Sequence, residues 1–120
     1  MQALSELTAT VDGFLFPREG PLLFELARSC SGRGAIVEIG SFKGKSTIWL
    51  AAGSRAGAGV RVYAVDPHTG CPDLYEQYGD KIWTLPEFEL NIERAGIGVA
   101  RSCAHQFAAS ASARLAARQK

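Results

Sequence analysis

The 120 residues allow one domain with one core and leave no room for a second. Hydrophobic residues at 47%, charged residues at 21%, 13 Gly and 5 Pro make a globular composition, which excludes disordered, collagen-like and disulfide-scaffold classes. A formal net charge of +1 gives no general reason to expect nucleic acid or membrane as a partner, and no apolar run approaches the ~20 residues that span a bilayer.

The opening Met1-Gln2-Ala3-Leu4-Ser5-Glu6 lacks the form of a secretory signal, and Cys30, Cys71 and Cys103 are odd in number and far apart. Both features suit a cytoplasmic chain with reduced thiols, without a zinc cluster. Residues 5–16 are moderately apolar, and Gly13-Phe14-Leu15-Phe16-Pro17 reads as a short segment ended by proline. Glu19 and Pro21 suit the first turn of a helix whose Leu22, Leu23, Leu26 and Ala27 recur at helical spacing, with Ser31-Gly32-Arg33-Gly34 as its stop. Residues 35–39 are apolar and β-branched between glycines, as in a parallel strand buried on both faces. A tight loop over residues 40–44 leads into a helix opened by Lys45 or Ser46 and closed around Gly53 or Gly57, with Trp49 in its core face. Residues 60–65 form a second strand ending at Asp66-Pro67. Strand, glycine loop, helix and strand make a right-handed βαβ unit. Residues 69–81 read as a loop holding Tyr75 and Tyr78. Thr84 and Glu87 have capping-box spacing for a helix with Leu85, Phe88, Ile92 and Ala95 on one face, ended by Gly96.

The chemistry is expected in Val37-Glu38-Ile39-Gly40-Ser41-Phe42-Lys43-Gly44-Lys45-Ser46-Thr47. Glycines at the C-terminal end of a parallel strand let a ligand approach the backbone, and the helix N-terminus that follows favours an anionic group. Three ligand classes compete. A phosphate loop ending in Gly44-Lys45-Ser46 needs its first glycine at the position of Ile39, and Gly40 makes the loop one residue too short. A dinucleotide loop needs its middle glycine where Phe42 stands. S-adenosyl-L-methionine carries a carboxylate for the helix N-terminus, no phosphate, and a ribose diol that Asp66 could hold at the end of the next strand. Asp66 by itself also suits a dinucleotide, so the loop spacing decides. Lys43 and Lys45 read as solvated charges, and His68 as a loop histidine or pocket wall.

Glu38-x-Gly40-x-x-x-Gly44 resembles the acidic-x-Gly-x-x-x-Gly motif of class I S-adenosylmethionine-dependent methyltransferases. The longer run of Val37 to Ser41, Gly44 to Thr47 and Val65-Asp66-Pro67-His68, with a later helix from Trp83 to Gly96, is similar to a bacterial O-methyltransferase-like subgroup, the methyltransferase-24 type. The resemblance covers residues 13–96. It implies a Rossmann-like three-layer α/β fold of which this chain holds the N-terminal half of the sheet. It implies that Glu38 orients the loop or meets the methionine amine, and that Gly40 and Gly44 admit the cofactor. Ser41 and Phe42 would line the methionine portion, Ser46 would reach its carboxylate, Asp66 would hold the ribose, and Pro67 and His68 would flank the adenosine. The acceptor implied is a small molecule or sugar methylated on oxygen.

The first 96 residues contain nine Lys/Arg and all 12 Asp/Glu, whereas residues 97–120 contain four Lys/Arg, eight Ala, three Ser and no acid. The family pattern gives out at the same place. We therefore expect residues 1–96 to be the cofactor-binding part and 97–120 a departing tail, as a truncated gene or changed reading frame would leave; a genuine Ala-rich helix is the alternative. A first strand without its second neighbour would be an exposed sheet edge, prone to self-association. Weak cofactor binding and impaired turnover follow from the same expectation.

Overall fold

In the computed structural model, which describes residues 1–97, strands β1 (Ala35–Ile39) and β2 (Arg61–Val65) pair in parallel, in register from Ala35 opposite Arg61 to Ile39 opposite Val65. Two helices precede them, α1 (Gln2–Ala9) and α2 (Glu19–Arg28). Helix α3 (Lys45–Ala56) makes the crossover, and α4 (Pro72–Tyr78) and α5 (Leu85–Arg94) follow β2. This is an α/β arrangement whose βαβ unit is the one the sequence predicts, strand for strand to within one residue. The expected tail lies outside the described residues from 98 onward.

In-register parallel neighbours point their side chains to the same face. Ile36, Glu38, Val62 and Ala64 share one face, and Ile48 and Ala51 of α3 with Phe88 and Ile92 of α5 close over Val62 and Ala64 to form the core. On the other face Val37 is 60% and Ile39 79% exposed. The expectation of a strand buried on both faces is thus met on one: the core assembled by the described helices lies on a single side of the sheet.

Helix α3 packs on α2 through absent side chains. A Cβ on Gly53 would lie 2.2 Å from the Phe24 carbonyl oxygen, so the two helix backbones come together only because that position is glycine. Trp49 is buried, as its spacing predicts, over Gly20.

Two expectations are corrected. Residues 69–81 contain helix α4, with Pro72 in its first turn, Asp73 just behind it and Gly79 beyond its end at a φ of 80°. None of its residues is buried, so it has no apolar stripe to betray it. Thr84 precedes α5 but makes no capping bond, because its hydroxyl is 2.8 Å from His68 Nδ1 instead. No helix among the described residues is long and apolar enough to cross a membrane, and Cys30 and Cys71 are free thiols.

Candidate active site

The C-terminal ends of β1 and β2 open into two loops that are tied together by one carboxylate. Asp66 Oδ2 accepts from the Phe42 amide at 2.7 Å, and Oδ1 accepts from the His68 amide at 2.8 Å. Among the described residues, Phe42 and His68 are the two non-glycine residues in the left-handed region, with φ of 49° and 60°. Each such residue costs of order 1 kcal/mol. Charge-assisted bonds to both amides offset that cost and fix the loop shapes. Asp66 therefore joins the two strand ends, and its carboxylate keeps acceptor sites beyond the two already used.

Further loop amides are also engaged. The Gly40 amide donates to the Val65 carbonyl at 2.9 Å, and the Gly44 amide to the Ser41 carbonyl at 2.9 Å. Gly44 has a φ of 94°, and a Cβ there would meet Phe88 at 3.2 Å. Its glycine is demanded by α5 and by the turn. Gly40 differs, because a Cβ there would meet nothing within 4 Å. Of the two glycines, Gly40 is the one that faces open space.

Behind the loop, Glu38 is buried on the covered face and accepts from the Ser46 hydroxyl and, at 2.5 Å, from Thr47 Oγ1. Burial pushes the Glu38 carboxyl up from its ordinary range; the two hydroxyls pull it back and the Asp66 charge adds to the rise. Ser46 is thus spoken for by Glu38. Thr47, within the predicted stretch but given no role there, is the second partner, and no local spacing signals a pair nine residues apart.

A cavity of about 130 Å³ lies between the loop and the N-terminal segment, lined by residues 40–43, Lys45 and Ser46 on one side and by residues 12–15 on the other. Ser41 is 2% exposed, and its Oγ is buried without a hydrogen-bond partner. His68 is likewise 2% exposed, packed 5.2 Å from the Phe88 ring, with Nε2 buried and unpartnered. Burial holds the imidazole below its usual range, against the Asp66 and Glu89 charges and the Phe42 carbonyl, which pull it up. Pro67, by contrast, is exposed.

Lys43 is not a solvated charge. Its ammonium lies 3.2 Å from Asp12 Oδ2 and 3.0 Å from Glu87 Oε2, and 5.3 and 5.2 Å from the ring centroids of Phe42 and Tyr78. The Tyr78 hydroxyl donates to the same Asp12 oxygen at 2.9 Å. Burial works against the Lys43 charge, and the two carboxylates outweigh it, so the ammonium sits above its usual range. Phe14 adds a ring contact to Phe42 at 5.5 Å. Among the described residues no group of three or more His, Cys, Asp or Glu could hold a metal ion.

The geometry thus sets an acid, Asp66, against a glycine loop at the end of a parallel strand. The sequence comparison agrees with that geometry: a methyltransferase domain family matches residues 37–119, from within β1 onward. The chain belongs to that family. In this methyltransferase the matched stretch takes in the loop, Asp66, His68 and α5, and its part beyond residue 97 lies outside the described residues. The described residues form a portion of a Rossmann-like methyltransferase fold, with one parallel strand pair and its crossover helix.

Proposed function

We propose that this methyltransferase binds S-adenosyl-L-methionine at the cavity beside Gly40 and Ser41 and directs its methyl group to an oxygen of a small-molecule or sugar acceptor. One observation carries the cofactor reading: the Asp66 carboxylate takes the Phe42 amide of the loop at 2.7 Å. A phosphate loop needs free amides converging on an anion. Here amides 40, 42 and 44 are engaged within the protein, and an acid stands at the loop. That arrangement repels a polyphosphate and suits a cationic nucleoside, which disfavours the nucleoside triphosphate alternative through Gly44-Lys45-Ser46.

The residues present fit the cofactor. Ser41 has a buried hydroxyl in need of a partner, and Gly40 leaves room for one. In this reading these two, with Phe42, hold the methionine end. Glu38 braces the loop from behind through Ser46 and Thr47. Asp66 uses its remaining acceptor sites for the ribose, and Pro67 flanks the adenosine while His68 supports that wall from the core. The cofactor supplies an electrophilic methyl on a sulfonium, so the protein's work is alignment and exclusion of water. The oxygen-directed acceptor class rests on the resemblance of the motif string. Self-association belongs to the same reading, supported by the exposure of Val37 and Ile39 on β1.

Calorimetric titration tests the proposal. S-adenosylhomocysteine should give a binding isotherm and ATP–magnesium none, and Asp66→Ala should weaken the former by about tenfold or more, the value of one charge-assisted hydrogen bond. A binding isotherm for ATP–magnesium alone would overturn the reading.

A further inference from the structure

Residues 12–15 form the outer wall of the cavity, and among the described residues no backbone hydrogen bond joins them to another element. What ties them down runs through side chains. Asp12 Oδ2 takes the Lys43 ammonium at 3.2 Å and the Tyr78 hydroxyl at 2.9 Å, and Phe14 rests on Phe42. Lys43 is the centre of this arrangement, 12% exposed at its side chain, whereas Asp12 and Glu87 are 52% and 55% exposed. A segment without backbone bonds opens readily, so its closure depends on whatever side chains hold it.

We propose that Lys43 is a positioning residue: it latches residues 12–15 over the glycine loop and thereby holds the cofactor cavity closed around its occupant. Glu87, on α5, lies 3.0 Å from the same ammonium but outside residues 12–15, and is not part of the latch. The consequence for cofactor affinity rests on the proposed reading of the cavity; the latch itself does not.

Amide hydrogen exchange on the unliganded full chain tests the latch. Lys43→Met and Asp12→Asn should each speed exchange at residues 12–16 about three- to tenfold, the range expected for a part-buried ion pair with ring contacts. Lys43→Arg should restore protection, and Glu87→Gln should leave it unchanged. Unaltered exchange in Lys43→Met would overturn the proposal. So would Lys43→Arg exchanging as fast as Lys43→Met, or Glu87→Gln matching it. Titration with S-adenosylhomocysteine then separates the two readings. Binding by the wild type with equal weakening in Lys43→Met and Asp12→Asn supports both. Binding that neither variant weakens removes the latch from cofactor binding and leaves the cofactor reading intact. No binding by the wild type, with exchange behaving as expected, removes the cofactor reading and leaves the latch.

Discussion

The two faces of the sheet are made from similar residues and meet different fates. On one, Val62 and Ala64 disappear under α3 and α5, and Glu38 is buried beside them. On the other, Val37 and Ile39 are open, while Tyr63 and Val65 are half-buried. Apolar composition therefore marks a strand without saying which side will be covered. The difference also divides labour within the covered face. β2 supplies core, whereas β1 supplies a carboxylate that organises the start of α3.

The sharpest way to break this contrast is a charge on the covered face. Val62 is 1% exposed and lies in the core cluster. Val62→Asp buries a carboxylate with no cation among the core residues, which costs more than about 4 kcal/mol and should abolish the cooperative thermal transition followed by circular dichroism. A retained transition would mean that the core is loose enough to admit water.

Much of this framework was legible because it is written in local patterns. Residues 35–39 are a short β-branched run between glycines, residues 61–65 a second apolar run closed by Asp66-Pro67, and Gly96, at a φ of 68°, ends α5 as expected. What was not legible depends on contacts distant in sequence. Lys43 looks like any loop lysine until Asp12, 31 residues earlier, and Glu87 close around it. Thr84 has the spacing of a cap, and a buried imidazole 16 residues away outbids the helix for its hydroxyl. Helix α4 lacks the amphipathic signal because it buries nothing, although Pro72-Asp73 and Gly79 were there as end signals. Among the site residues, Gly40, Ser41, Phe42 and Ser46 line the cavity, Ser46 while also bonded to Glu38, whereas Gly44 packs against α5.

A smaller effect should come from pH, because the buried titratable groups Glu38 and His68 both lie on the covered side. Burial keeps His68 below its ordinary value of 6.5, so the unfolded chain takes up a proton at a pH where the folded chain does not. Its contribution to stability is therefore complete above 6.5 and declines as pH falls through 6.5 toward the folded value. Glu38 acts in the opposite sense: its raised value means stability is complete below 4.5 and is lost as pH rises through the folded value. A His68→Gln variant isolates the first effect. Between pH 7 and pH 5 the wild type should lose melting temperature relative to His68→Gln. Parallel curves would mean that the imidazole titrates as it does in the unfolded chain.

The smallest effect should come from the open face. Ile39 is 79% exposed, at the last position of β1, beside the loop but pointing away from Glu38 and the core. Ile39→Lys removes little buried apolar area, so thermal stability should change by no more than about 0.5 kcal/mol. The same charge on an apolar strand at the sheet edge opposes pairing with a second copy. Light scattering at increasing concentration should therefore show less association for Ile39→Lys than for the wild type, with S-adenosylhomocysteine binding unchanged, since the residue does not line the cavity. A large loss of stability would place a covering element over this face and make the two sides of the sheet equivalent.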